Sequence, residues 1–333
     1  MENELEIQDA KEFEDIAAEE GNEIETENEN LIEIVAEKDS ERLDTFLAEE
    51  LDFSRTRVVN MLRNKLISNE AVRDNREKYL KPSRKVQAGD KFFVKILASK
   101  NENFLRAEPV DFEVVYEDAD ILIVNKPAGV VVHPSPGNWR NTLVNGLVYR
   151  YPEMKKLTAW LRPGIVHRLD ATTSGLMVVA RTEQATLELQ KMFKEREVDK
   201  KYIALAHGRP KRLEGTISGP IDRDPDNFLK MAIVAGGKPS LTGYKVLWTR
   251  NNISMVEFKL YTGRTHQIRV HFAGLGCPLV GDCIYGAPEK DSELGRVFLH
   301  SWSLSFKHPV TGEQMTFKQN ITPDFTDYIK KLV

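Results

Sequence analysis

Cysteine is scarce in this chain of 333 residues, which contains only Cys277 and Cys283. Two cysteines are too few for a secreted disulfide framework, and they have no partners at zinc-site spacing. No apolar run approaches the roughly 18 residues that span a bilayer. The N-terminus also lacks the basic and apolar segments of a signal peptide. We therefore expect a cytoplasmic protein with two free thiols and no membrane partner.

The formal net charge of −4 hides a segregation of charge along the chain. Residues 1–40 contain 16 acidic residues and two lysines, a net charge of −14, whereas residues 41–333 carry a net charge of +10. The acidic segment has too little apolar surface to offset the entropy of ordering, so we predict a disordered tail over 1–40. Such a tail either solubilises the protein or competes with anionic partners. The basic remainder is typical of a protein that neutralises phosphates.

Residues 41–97 predict a small helix–helix–hairpin unit with one basic face. Apolar residues recur at helical spacing from 43 to 47 and again from 58 to 66, and turn residues then separate short β-rich runs. A lone basic helix usually faces solvent, but within this unit we interpret the cations as an RNA-binding surface. These cations are Arg55, Arg57, Arg63 and Lys65.

Residues 98–112 form a linker in this interpretation, and residues 113–333 form a larger, β-rich domain. Helices are predicted over about 139–151, from Thr182 to about Arg196, and in a segment capped by Thr265. Two β-rich runs flank a Lys-Pro-Ala-Gly turn at 126–129. The turn is either purely structural or a place where Lys126 faces a phosphate backbone.

The segment from Gly164 to Gly175 is polar, although an apolar, strand-like run follows it at 176–180. It contains one carboxylate, two basic side chains and three hydroxyls. A rigid strand beside a polar loop is a common place for a functional site, because the strand holds the reactive group while the loop shapes a pocket. The alternative is an ordinary turn that Asp170 caps.

Four sequence blocks decide between these readings. They are Asn-Lys-Pro-Ala-Gly at 125–129, His-Arg-Leu-Asp at 167–170, Lys-Tyr at 201–202, and Gly-Arg-Thr-His-Gln-Ile-Arg-Val-His at 263–271. Together they resemble the RluA/RluD family of RNA pseudouridine synthases over about 41–333. The unit at 41–97 resembles an S-four-type RNA-binding domain, with Asn64 and Asn69-Glu70 where that domain usually has glycine-containing turns.

The resemblance implies an α+β fold. The catalytic domain would have a mixed, largely antiparallel central sheet flanked by helices, preceded by the small N-terminal α/β RNA-binding domain. The implied reaction breaks the bond between ribose C1′ and uracil N1 and rejoins the base through C5. Nothing is oxidised, so the resemblance implies no cofactor. The histidine spacings also show no metal site.

The resemblance also assigns roles to single residues. Asp170 would be the catalytic carboxylate, Arg264 its ion-pair partner and Tyr202 the ring that stacks on the flipped uracil. Attack on the sugar, attack on the base and base catalysis all stay open for Asp170. Arg168 would enter the RNA and occupy the space of the flipped base. Further RNA contacts are expected from His167, Lys126 and Arg269.

Two other functions remain as alternatives. A non-catalytic RNA-binding or ribosome-assembly module would use the same basic surfaces. An RNA N-glycosylase is disfavoured, because these motifs contain no second carboxylate to act as an acid. The layout resembles the RluD branch, which implies large-subunit ribosomal RNA or pre-ribosomal particles as partners. We expect a monomer. Ala171-Thr172 stands where the family usually has a Lys-Asp pair.

Overall fold

The computed structural model describes residues 30–36, 39–40, 42–51, 55–73, 79–96, 105–135, 138–157, 162–227 and 230–332. The chain divides into two compact units, Met1–Glu102 and Asn103–Val333. Residues 1–29, and with them most of the predicted acidic tail, lie outside the described residues. No helix in the described part of the chain is long and apolar enough to cross a membrane.

The first unit combines a three-stranded sheet with three short helices. Its elements are β1 (Asn30–Val35), α1 (Leu43–Glu50), α2 (Arg55–Arg63), β2 (Ile67–Ser68), α3 (Glu70–Arg73) and β3 (Lys91–Ile96). Strands β1 and β2 both pair antiparallel with β3. Apolar side chains of α1 and α2 form one buried core with those of β2 and β3. Because β1 precedes residue 41, the folded unit begins earlier than the predicted boundary.

The turns of this unit differ from the predicted hairpin. Lys65 makes the turn after α2 with a φ of 56°, in the left-handed region where the S-four-type pattern usually has glycine. Asn69 does not open a hairpin. Its side-chain oxygen instead accepts a hydrogen bond from the backbone N of Val72 at 2.9 Å, and this bond caps the short helix α3.

A buried carboxylate in α1 organises part of the basic face. Asp44 forms ion pairs with Arg42 and Arg55, each at 2.9 Å. The Arg42 guanidinium, together with Arg55, holds the pKa of Asp44 well below its usual range. Arg55 is therefore already paired within the unit, although its side chain is 58% exposed. Arg63 and Lys65 are exposed, and the side chain of Arg57 lies outside the described part.

The second unit is built on one large mixed sheet. Its strands are β4 (Glu113–Glu117), β5 (Ile121–Lys126), β6 (Ser174–Ala180), β7 (Asp199–His207), β8 (Glu214–Ser218), β9 (Ile221–Arg223), β10 (Met231–Ile233), β11 (Leu241–Arg250), β12 (Ile253–Leu260), β13 (Leu299–Lys307) and β14 (Gln314–Lys318). Nine of them form the sheet in the order β4-β5-β6-β13-β7-β12-β11-β8, with β14 paired to β13. Strands β9 and β10 form a separate ribbon.

Nearly all pairings in this sheet are antiparallel. In the described part of the chain, the exception is β6 with β13, which run parallel and place Ser174 opposite His300. This topology confirms the predicted α+β fold with a mixed, largely antiparallel sheet. The helices are α4 (Leu143–Arg150), α5 (Glu183–Glu195), α6 (Gln267–Gly274) and α7 (Pro323–Lys330), with 3-10 helices at Pro152–Lys156, Cys283–Tyr285 and Glu289–Leu294.

Two of the three predicted helix starts need comment. Thr182 caps α5 as predicted, because its hydroxyl accepts a hydrogen bond from the backbone N of Ala185. The prediction that Thr265 caps α6 is wrong. The N-cap is His266, which has a φ of 55° and makes no side-chain capping bond. The side chain of Gln267 instead accepts a hydrogen bond from the backbone N of Arg264 at 3.0 Å.

Strand β6 carries the polar segment into the centre of the sheet. All seven of its residues are buried, and successive side chains enter different cores on the two faces of the sheet. Gly175 makes this close packing possible. It has a φ of 116°, and a Cβ there would collide with the backbone of Ser301 on β13.

We predict that Gly175→Ala lowers the free energy of unfolding by about 3 kcal/mol or more, because the left-handed backbone and the overlap with β13 add together. Chemical denaturation measures this change. Gly236→Ala is the matched control, since Gly236 has a φ of 83° but open space around it. The control should lose only about 1–2 kcal/mol. Equal losses in the two variants would contradict the close approach of β6 and β13.

Candidate active site

A cavity of about 500 Å³ lies where the polar segment meets the sheet. Its walls come from residues 166–170, from the end of α5 with the start of β7, and from residues 260–269. Asp170, Tyr202 and Arg168 line this cavity together. Arg264 is also in the lining, so the structure brings together all three predicted catalytic residues and the arginine that was predicted to enter the RNA.

The carboxylate of Asp170 is held by a buried arginine. Its Oδ2 lies 3.2 Å from Nη1 of Arg269, and its side chain is 18% exposed. Arg269 also binds Asp282 through two hydrogen bonds of 2.8 Å, from Nε to Oδ2 and from Nη2 to Oδ1. Burial alone would lower the pKa of Arg269, but Asp282 and Asp170 together raise it. Arg269 is thus a fixed cation beside Asp170.

The predicted ion-pair partner of Asp170, Arg264, was the wrong arginine of the motif. Arg264 precedes α6, and its Nε donates a hydrogen bond to the backbone O of Pro239 at 3.2 Å. Arg269 lies inside α6, so its side chain reaches both carboxylates. The expectation that Arg269 contacts RNA stays a prediction, since its side chain lines the cavity but is only 5% exposed. A usable signal was present, because a cation between the apolar residues Ile268 and Val270 is buried and needs a carboxylate partner.

Tyr202 lies on β7 and forms part of the cavity wall. Its side chain is buried, and its backbone pairs with Phe258 on β12 and Ser301 on β13. Burial raises the pKa of Tyr202, and the nearby carboxylate of Asp170 adds to this effect. The hydroxyl therefore stays protonated at neutral pH, and the aromatic ring is held in place by the sheet.

His266 is a further side chain beside Asp170. Its Nε2 lies 3.8 Å from Oδ2 of Asp170, and its Nδ1 lies 2.8 Å from the hydroxyl oxygen of Tyr285. That hydroxyl accepts a hydrogen bond from the backbone N of Met231 at 2.9 Å, so its own proton is available for Nδ1. Burial lowers the pKa of His266. If the Tyr285 hydroxyl donates to Nδ1, a neutral ring carries its proton on Nε2, on the side of Asp170.

Lys126 does not face RNA, contrary to the sequence-based expectation. Its side chain is fully buried, and its Nζ donates hydrogen bonds to the backbone O of Pro127, Val130 and Ala171 at 2.8, 2.8 and 3.1 Å. Burial lowers the pKa of Lys126 to about 7, while the three carbonyl acceptors require all three protons of the ammonium group. Lys126 therefore ties the turn after β5 to the residue that follows Asp170.

His167 lines the cavity and also has internal contacts, while its RNA contact stays a prediction. Its Nε2 accepts a hydrogen bond from the backbone N of Val178 at 3.1 Å, and its ring stacks on Phe193 with 4.6 Å between centroids. Burial lowers the pKa of His167 to about 3, so the ring is neutral. Arg168 is different, because its side chain is exposed at the cavity.

Sequence reasoning missed Asp282 and Tyr285, which hold Arg269 and His266. No motif pointed to either residue. The described residues also contain one group with metal-ligand geometry, Asp118, Asp120 and His308, which lies outside the cavity lining. Asp118 there accepts hydrogen bonds from two backbone amides, from the hydroxyl of Tyr116 and from His308. These bonds account for the geometry of the group as a turn.

Comparisons with known proteins agree with this site. Residues 120–274 match the family described as RNA pseudouridylate synthase. The chain is 40% identical over 308 residues to an uncharacterized RNA pseudouridine synthase, YlyB, of Bacillus subtilis, and the match covers 91% of this chain and 98% of that protein. It is 42% identical over 312 residues to ribosomal large subunit pseudouridine synthase D of Neisseria meningitidis, with 90% and 81% covered.

A solved structure, human RNA pseudouridylate synthase domain containing 1, superposes with a TM-score of 0.52 at 29% identity, covering 67% of this chain and 94% of that one. With these relatives and this cavity, the chain belongs to the RluA/RluD family of RNA pseudouridine synthases. The protein is accordingly an enzyme that isomerises uridine in RNA. Family membership favours this over the non-catalytic module.

We predict that Arg269→Lys lowers the single-turnover rate of pseudouridine formation about 30-fold or more, because lysine cannot bridge Asp282 and Asp170 with planar, paired hydrogen bonds. The rate is measured with saturating enzyme, so that RNA binding does not limit it. Arg264→Lys is the matched control and should change this rate less than about threefold. A larger loss of rate in the Arg264 variant would support Arg264, rather than Arg269, as the ion-pair partner of Asp170.

Proposed function

We propose that this enzyme converts specific uridines of large-subunit ribosomal RNA to pseudouridine, with Asp170 as the catalytic carboxylate. The observation that carries the catalytic assignment is the ion pair of Asp170 with Arg269 in a cavity that Tyr202 and Arg168 also line. The target class is supported by the relative from Neisseria meningitidis, whose name specifies the large ribosomal subunit. The net charge of +10 over residues 41–333 suits a polyanionic substrate.

In the proposed mechanism the target uridine first leaves the stack of the RNA. Flipping a base costs a few kcal/mol, and the exposed guanidinium of Arg168 offsets part of this by stacking in the vacated space. The nucleotide then enters the cavity, and the ring of Tyr202 packs against the uracil. Arg269 holds the Asp170 carboxylate directed at the substrate through its contact of 3.2 Å.

The isomerisation is balanced without any other reactant. The C1′–N1 bond breaks and a C1′–C5 bond forms, C5 loses a proton and N1 gains one. Asp170 supplies the negative charge for this exchange by one of three routes: attack on C1′, attack on the uracil, or removal of a sugar proton. The Nε2 proton of His266 lies on the same side of the cavity and is a donor for a substrate oxygen.

We also propose that the first unit binds RNA through α2 and the turn that follows it. Arg63 and Lys65 are exposed there, and Arg55 keeps more than half of its side chain accessible despite its ion pair with Asp44. Exposed cations at the two ends of a helix and in the turn after it neutralise phosphates without reading bases. This unit would therefore add affinity and leave the chemistry to the second unit.

We predict that Asp170→Asn lowers the rate of pseudouridine formation by about 1,000-fold or more, because the amide keeps the shape of the side chain but removes its charge. RNA affinity should change less than about threefold. The measurement is mapping of pseudouridine in total RNA from cells that lack the gene and carry either the wild-type or the variant copy. Sites in large-subunit ribosomal RNA should return only with the wild-type copy.

The control for this experiment is Asp222→Asn, which removes one exposed carboxylate from β9 and should restore every site. Restoration by the Asp170 variant would contradict the mechanism. Sites that return only in transfer RNA would contradict the target while leaving the chemistry intact.

We predict that Arg63→Gln weakens RNA binding and reduces its salt dependence by about one phosphate contact, while the modification rate of bound RNA stays the same. Lys91→Gln is the control, because the Nζ of Lys91 is already paired with Glu33 at 3.1 Å on the sheet of the same unit. Equal losses in both variants would show that the unit contributes only general positive charge.

A further inference from the structure

One wall of the active-site cavity is strongly cationic. The end of α5 and the start of β7 contribute Lys194, Arg196 and Lys200 to the lining, next to the exposed Arg168. Lys194 and Arg196 are exposed at the rim, whereas Lys200 is buried, with 8% of its surface accessible. The carboxylate of Asp170 is paired with a different wall, through Arg269 of α6. The cations of this first wall are therefore not used to hold Asp170.

Lys200 is a buried cation without an ion-pair partner in the described part of the chain, and burial lowers its pKa more than the Asp199 carboxylate raises it. Its Nζ lies 4.9 Å from the ring centroid of Phe193, and no carboxylate or carbonyl of the described residues binds it. The adjacent carboxylate, Asp199, is paired with Lys259 at 3.0 Å. Burial lowers the pKa of Lys200, and neighbouring His167 is neutral and offers no charge.

The surroundings keep the Lys200 ammonium group at the cavity. The Phe193 ring contacts two of its neighbours, since the His167 ring stacks on it and Lys200 lies over it. Side chains at alternate positions of a strand share a face, so Lys200 and Tyr202 both line the cavity. A buried charge without an ion pair costs folding free energy, which points to a ligand that supplies the opposite charge.

We propose that Lys200, with Arg196 and Lys194 at the rim, forms a subsite for the RNA phosphate beside the target uridine. This inference rests on the proposed function, because the uridine brings its backbone phosphates with it when Tyr202 and Asp170 receive its base and sugar. The subsite has a physical task. A phosphate that approaches Asp170 is repelled by its carboxylate, and a cation in a low-dielectric wall offsets that repulsion more effectively than one in solvent.

The test compares Lys200→Met with Lys201→Met. Lys201 is the next residue of β7, is more exposed and lies 4.0 Å from Glu257. RNA binding is measured over a range of salt concentrations with the large-subunit ribosomal RNA transcript. We expect Lys200→Met to weaken binding about tenfold at fixed salt and to make the slope of log K against log salt shallower by about 0.7–0.9. The Lys201 variant should change neither quantity.

Two further measurements separate a phosphate subsite from a structural lysine. Removing a buried cation that has no ion pair in the described part of the chain should raise the midpoint of thermal unfolding of Lys200→Met, whereas loss of a structural lysine would lower it. Lys200→Arg keeps the charge and should retain the salt slope of the wild type. If Lys200→Met does not fold, the salt slope of Lys200→Arg still tests the subsite.

The phosphate itself is located with a short RNA hairpin around a mapped uridine, in which one flanking phosphate is replaced by a neutral methylphosphonate. The wild-type protein should bind that RNA more weakly than the unmodified hairpin. Lys200→Met should bind the two RNAs equally well. Replacing the target uridine by cytidine should leave the Lys200 effect unchanged, because a phosphate contact does not read the base. An unchanged salt slope in Lys200→Met, or a fall in affinity accompanied by a fall in stability, would overturn the subsite. Either result leaves the Asp170 experiment unaffected.

Discussion

The active site depends on one buried guanidinium shared between two carboxylates. Arg269 of helix α6 joins the segment before β6 to the loop that contains Asp282. Its guanidinium carbon also lies over the ring of Tyr285, 5.0 Å from the ring centroid. A buried pair of this kind contributes little net stability, because desolvation of the charges opposes their attraction. Its contribution is geometric. Asp282 fixes the arginine, the arginine fixes Asp170, and Tyr285 connects the same loop to His266.

The buried polar side chains around the cavity fall into two kinds. Lys126 and His167 form hydrogen bonds with nearby backbone, and they hold the polar segment against β5 and β6. Lys200 lies over the ring of Phe193 and has no ion-pair partner in the described part of the chain. The first kind makes the loop rigid. In the proposed subsite, the charge of the second kind, Lys200, is neutralised by a phosphate of the RNA.

Sequence patterns predicted strand β6, the start of α5 at Thr182 and the position of Asp170 beside a cavity, because these follow from local periodicity and from one motif. They failed where a long-range contact decides the role of a side chain. Lys126 looked accessible because its third acceptor, the carbonyl of Ala171, is 45 residues away. Arg264 and Arg269 belong to the same motif, and only the start of α6 at Gln267 separates a loop arginine from a buried one. Asp282 and Tyr285 follow no spacing that chemistry would require.

The parallel pairing of β6 with β13 has a consequence for how the protein is made. Ser174 and His300 are hydrogen-bonded at 2.8 Å although they are 126 residues apart, and Leu299 of β13 lines the cavity. A chain that is growing on the ribosome presents the segment around Asp170 long before β13 has been synthesised. The cavity is completed only after β13 has been synthesised, so shorter chains contain the segment around Asp170 but lack part of the cavity wall.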